Sequence, residues 1–162
     1  MNELPASAQR VQDLATALGL EIEVREMAES TRTAEDAALA CGVTVGQIVK
    51  SLVFDTGGTA TMVLVDGASR VDEKGLAREL GVDAVRRADP EQVRAATGYA
   101  IGGVPPFGHA TPLPVLVDRG LLRHDVVWAA AGTPNTVFPI APRTLVEAAR
   151  ATVVDGLARR SG

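Results

Sequence analysis

Cysteine, histidine and aromatic side chains are scarce in this chain, and each scarcity removes a class of protein. Of 162 residues, one is Cys and two are His. A lone Cys41 rules out an intramolecular disulfide and suits a reducing compartment. Cys41, His109 and His124 make no ligand cluster, so neither a metal nor another cofactor is expected. Aromatics are 3% of the chain, so the core must be built from Ala, Val and Leu. No apolar run reaches the roughly 18 residues of a membrane span. Met1-Asn2-Glu3-Leu4-Pro5 has neither the basic region nor the apolar run of a signal peptide. A soluble cytoplasmic protein without a membrane partner is expected. An excess of one charge is missing too: 16 basic residues stand against 20 acidic ones, a net charge of −4. That excludes a broad basic face grasping nucleic acid by its phosphates, but not a small site gripping one end of an RNA.

What is present is a 46% hydrophobic chain, enough for one domain over residues 1–162 with a sizeable core. Val11, Leu14, Ala15 and Leu18 share a helical face over 6–18, with Gly19 as a stop. Residues 20–27 alternate apolar and charged, which predicts a half-buried strand. Thr33, Asp72 and Asp89 are helix N-caps by type and position, and Gly42, Gly81 and Gly98 close the helices they open. Residues 47–54 and 59–65 flank Asp55-Thr56-Gly57-Gly58, a hairpin signal. Residues 113–117, 126–131 and 136–140 read as strands. Leu145, Val146, Ala149 and Val153 predict a final helix over 143–158, and the last four residues a frayed tail. A hairpin sits mid-chain and several connections are too short for crossovers. The expected fold class is therefore mixed α/β, with a largely antiparallel, curved sheet surrounded by helices.

Two features stand out chemically. Lys50 lies within the apolar run Gln47-Ile48-Val49-Lys50-Ser51-Leu52-Val53-Phe54, where a cation is costly without a partner. It either snorkels to water near a strand end or floors a pocket for a phosphate, a ribose hydroxyl or a carbonyl. Gly102-Gly103-Val104-Pro105-Pro106-Phe107-Gly108-His109 is too rich in Gly and Pro to continue a helix or a central strand. It is either an ordinary surface turn or a cradle of main-chain N–H groups for an oxyanion or ester carbonyl. It lacks the Gly-Lys-Ser/Thr ending of a P-loop, and no Gly-x-Ser-x-Gly or paired-carboxylate arrangement is identifiable. Because Pro105-Pro106 removes donors, the useful N–H groups should lie at Gly102, Gly103 and Val104. Asp118, ending a Val-Leu-Val run, and the loop Gly132-Thr133-Pro134-Asn135 read most simply as turns.

The order of these signals carries a resemblance. A lysine in Ile-Val-Lys-Ser-Leu-Val-Phe precedes Gly-x-x-x-Pro at 102–106 with Phe-Gly-His after it. Val-Leu-Val-Asp at 115–118, Ala-Ala-Gly at 130–132 and Pro-x-x-Leu at 142–145 follow. The chain resembles the YbaK/ProX-type aminoacyl-tRNA deacylases, which are similar to the editing domain inserted in bacterial prolyl-tRNA synthetase. The resemblance implies hydrolysis of the ester joining a wrong amino acid to the 3′ end of tRNA, with a synthetase as a further partner. It implies that Lys50 holds the terminal adenosine's phosphate or ribose, and that Gly102, Gly103, Val104 and Pro106 position the ester carbonyl and ribose. A terminal ribose hydroxyl would help activate water, so no side-chain base is required. His109 and Asp118 would border the amino-acid pocket, Gly132 and Asn135 would form the facing loop, and Thr31 and Thr33 would set pocket size. A binding module that kept the pocket without the chemistry is the alternative, and a hydrolase of small esters unrelated to tRNA a third.

Overall fold

A computed structural model describes residues 3–160. In chain order the elements are α1 (Ala6–Ala17), β1 (Arg25–Glu26), α2 (Ala34–Cys41), β2 (Val49–Asp55), β3 (Ala60–Asp66), β4 (Ser69–Val71), α3 (Glu73–Leu80), β5 (Arg86–Arg87) and α4 (Pro90–Thr97). There follow β6 (Val115–Asp118), β7 (Val127–Ala130), β8 (Thr136–Ile140), α5 (Pro142–Ala149), β9 (Thr152–Val154) and β10 (Ala158–Arg160).

The caps form where residue type predicts. Thr33, Asp72 and Asp89 accept hydrogen bonds from the backbone N–H three residues on, and Gly42, Gly81 and Gly98 close the same helices in the left-handed region. The hairpin β2–β3 pairs Val49 with Asp66 through Asp55 with Ala60. At its tip the Asp55 carboxylate accepts from the Gly57 and Gly58 N–H groups and from the Gln92 amide. The Gly58 bond, the Gln92 amide and then the Gly57 bond hold that carboxyl at about 2, well below its ordinary value.

The central sheet runs β5-β2-β3-β6-β9, beside a three-stranded sheet β1-β8-β7 and a two-stranded β4–β10 pair. Five of the seven strand pairings are antiparallel; β3–β6 and β6–β9 are parallel. Alternation along β2 and β3 divides the core. Val49, Val53, Met62 and Leu64 pack with Val11, Phe138 and Leu145 on one face. Phe54, Val63 and Val65 pack with Leu76, Val154 and Leu157 on the other.

Three expectations need correction. The final helix does not run over 143–158: it ends at Ala149, where Arg150 turns left-handed at φ 52°, and residues 152–154 and 158–160 are strands. A β-branched Thr152-Val153-Val154 run alongside β6 is worth more than a lone helical extension. Arg159 and Arg160 belong to β10 rather than to a frayed tail, while Ser161 and Gly162 lie outside the described residues. The alternating segment 20–27 forms a ladder only at Arg25–Glu26. Upstream of it, the Gln12 side chain takes the place of a partner strand, donating to the Ile22 carbonyl (3.1 Å) and accepting from the Val24 N–H (2.8 Å). None of the described helices is long and apolar enough to cross a membrane.

Candidate functional site

A cleft of about 540 Å³ opens over the outer edge of β2. Lys50, Gly102, Val104, Thr31 and Thr33 all line it, so both oddities of the sequence, fifty residues apart, face one space. Lys50, Leu52 and Phe54 share one face of β2, whereas Ser51 lies on the opposite face with Val49 and Val53. The cleft therefore straddles the strand.

The Lys50 ammonium donates to the Ser69 carbonyl at 2.6 Å. An ammonium has three donors, and this bond leaves two for an anion or a hydroxyl. Ser69 is presented by a turn that the Asp66 carboxylate locks: it accepts from the Ala68 N–H (2.9 Å) and from the Ser69 hydroxyl (3.0 Å). Asp66 and Ser69 are both buried. The Asp-Gly pair at 66–67 marks a turn, but nothing local says that its far carbonyl receives a lysine. Arg32, Arg70 and Arg87 also line the cleft, against Glu35 and Glu73. Four cations to two anions make this cleft locally basic in a chain of net charge −4.

The Gly/Pro loop is held from three sides. Phe107 packs on Phe138 with ring centroids 5.7 Å apart. The Gly132 N–H donates to the Gly103 carbonyl at 2.8 Å. His109 Nε2 meets the Pro105 carbonyl at 2.8 Å; a carbonyl only accepts, so Nε2 carries the proton. Burial pushes the His109 imidazole below its ordinary value, against the smaller upward pull of that bond. His109 is thus a neutral brace within the loop, and it is not among the residues lining the cleft. Gly102 takes φ 96°, open to glycine but strained for other residues. The Gly103 N–H already donates to Ala100 O at 3.0 Å, whereas those of Gly102 and Val104 carry no bond among the described residues. The free donor set is therefore Gly102 and Val104, without Gly103.

The remaining expected site residues hold the surrounding loops. Thr33 is the N-cap of α2. Thr31 bonds to the Pro134 carbonyl through both its N–H (2.7 Å) and its hydroxyl (3.1 Å). Asn135 clamps the same two segments, with its amide on the Met27 carbonyl at 3.1 Å. Gly132, Pro106 and Asn135 do not line the cleft. Nor does Asp118, which the resemblance would put at the pocket border. Its carboxylate accepts from the N–H groups of Gly120 (2.9 Å), Leu157 (2.9 Å) and Ala158 (3.1 Å), tying β6 to β10. Asp118→Ala would strand three donors, and a loss of about 3 kcal/mol is expected in urea unfolding. A loss below about 1 kcal/mol would contradict that structural role.

A family model described as the aminoacyl-tRNA editing domain matches residues 28–148, about three quarters of the chain. This protein belongs to the aminoacyl-tRNA editing domain family. It is 35% identical over 128 residues to the uncharacterized protein YwhH of Bacillus subtilis, spanning 78% of this chain and 81% of that one. Over 96 residues it is 37% identical to the proline–tRNA ligase of Nitratidesulfovibrio vulgaris, covering 59% of this chain but 17% of the ligase. A crystal structure of a proposed trans-editing enzyme for prolyl-tRNA synthetase superposes with a TM-score of 0.90 at 46% identity, covering 99% of this chain and all of that one.

Proposed function

We propose that this protein is a trans-editing hydrolase that cleaves the ester of mischarged aminoacyl-tRNA, acting as one cytoplasmic editing domain over 1–162. The observation that carries the reading is the meeting of Lys50, with two donors to spare, and the unbonded Gly102 and Val104 N–H groups around one basic cleft. Lys50 and the neighbouring arginines suit the phosphate and ribose of a single RNA end, which the acidic remainder of the chain would not retain. Gly102 and Val104 suit the carbonyl oxygen as it gains charge.

In the reaction, water adds to the ester carbonyl carbon, the bond to the terminal ribose oxygen breaks, and free amino acid and a tRNA hydroxyl leave. An aminoacyl ester is already activated, so orientation and a few aimed donors supply the needed acceleration without a dedicated side-chain base. A neutral, internally bonded His109 agrees with that. Editing of this kind compensates for the limited discrimination a synthetase achieves between small side chains. A synthetase partner would supply tRNA specificity.

The test is single-turnover hydrolysis of tRNA(Pro) charged in turn with Ala, Ser, Thr, Cys and Pro. Release of at least one non-cognate amino acid well above the spontaneous rate is expected. Saturable binding with no cleavage of any would leave a binding module instead. Faster cleavage of small model esters than of any aminoacyl-tRNA would favour a hydrolase unrelated to tRNA.

A further inference from the structure

Ser51 is the polar exception on the apolar side of the cleft. On its face of β2 the lining residues Val53, Ala88, Val93, Val104 and Ala129 are all buried in the larger core cluster. The Ser51 hydroxyl is buried among them and has no hydrogen-bond partner among the described residues. An unpaired buried hydroxyl is costly unless something completes it.

The main chain at the same residue is also open. At one end of the outer edge of β2, Ile48 bridges to Trp128. At the other, the Val53 carbonyl accepts the Ala88 N–H at 3.0 Å, and Phe54 and Asp55 pair with β5. Alternate residues of a strand turn their N–H and C=O to the same edge, so Val53 fixes the sense and Ser51 faces outward between the two contacts. On that edge no ladder pairing reaches Ser51 among the described residues: the bridge to β7 is at Ile48, and β5 pairs only with Phe54 and Asp55. Ser51 thus offers to one cleft an unpaired hydroxyl and a carbonyl that belongs to no ladder on its edge.

We propose that Ser51 reads the amino acid to be removed. This rests on the editing reading and sharpens it to a substrate class. The Ser51 hydroxyl pairs with a hydroxyl on the substrate's β-carbon, and its carbonyl receives the α-ammonium. The Val and Ala walls hold the side chain to a short length. Seryl and threonyl esters are then preferred over alanyl esters, which leave the Ser51 hydroxyl unpaired.

The experiment uses the full chain with tRNA(Pro) charged with serine or alanine, and compares kcat/KM for wild type, Ser51→Ala and Ser51→Thr. Wild type should favour the seryl ester. Ser51→Ala should lower seryl cleavage about tenfold and leave alanyl cleavage within about twofold, so that the preference collapses. Ser51→Thr, which keeps the hydroxyl, should retain it. Because the hydroxyl has no protein partner, Ser51→Ala should unfold at the wild-type urea midpoint or above. Cleavage of both esters with a ratio unaltered by Ser51→Ala, including an equal loss on both, overturns the assignment of Ser51. No cleavage of either ester, nor of the wider panel, by wild type overturns the editing reading along with it.

Discussion

Lys50→Met lowers single-turnover hydrolysis of mischarged tRNA by about 10²-fold or more while the chain remains folded. Methionine keeps most of the aliphatic stem but removes the charge and all three donors. One donor aimed at developing or fixed negative charge in a water-poor cleft is worth about 10²–10³ in rate. The same substitution breaks the bond to the Ser69 carbonyl, a loss of about 1–2 kcal/mol. That would loosen β4 without unfolding the chain, since β4 also pairs with β10. Arginine does not rescue. Its planar fork cannot occupy the point at which a compact ammonium meets Ser69 and still has two donors to give. Urea midpoints for the two variants separate the structural loss from the catalytic one. Wild-type turnover in Lys50→Met would remove this side chain from the reaction.

Most of the fold is legible because its decisive signals are local. Thr33, Asp72 and Asp89 at helix starts, left-handed glycines at their ends, and the Asp-Thr-Gly-Gly tip each depend on neighbours within four residues. What was illegible is non-local. The parallel pairings of β6 with β3 and β9 join segments far apart in sequence. The helix expected to reach residue 158 was suggested by a true periodicity through Ala149, which Val153 extended by coincidence while belonging to a strand.

The candidate site divides the same way. Lys50 and the Gly/Pro loop were conspicuous because each violates the expectation for its surroundings: a cation in an apolar strand, and consecutive glycines and prolines between helix and strand. Ser51 is inconspicuous in the sequence because a serine in a strand violates nothing. Only the missing partner strand along the edge of β2 makes it unusual, and that gap is a property of the sheet. Asp118 erred in the other direction. A carboxylate at a strand end looks available, yet three backbone donors reach it from Gly120 and from Leu157 and Ala158, about forty residues away.

Gly103→Ala should damage the loop more than Gly102→Ala does. A Cβ at Gly103 would lie 2.8 Å from the Thr133 nitrogen and 2.9 Å from the carbonyl carbons of Gly132 and Thr133. These are main-chain atoms, and no rotamer change can move them aside. At Gly102 the obstruction is the Arg32 side chain, 2.7 Å from the added carbon at its Cγ, which can swing away, so the cost there is chiefly that of the φ. The loops 100–104 and 131–135 would have to part at Gly103, stretching the Gly132 N–H to Gly103 carbonyl bond. Gly132 cannot retreat easily, because its own α-carbon already sits against the Ser7 carbonyl, which a Cβ there would meet at 2.8 Å. Overpacking of this kind costs about 1–3 kcal/mol. The larger consequence is positional. Gly102 and Val104 flank the displaced residue, and a shift of about 1 Å in a positioning group lowers rates about 10²-fold. Gly103→Ala is therefore expected to lose deacylation by about that factor with KM for the tRNA changed less than kcat, because Lys50 and the arginines proposed to hold the RNA end lie on other segments. Unimpaired kcat would mean that the Gly102 and Val104 donors do not meet the ester.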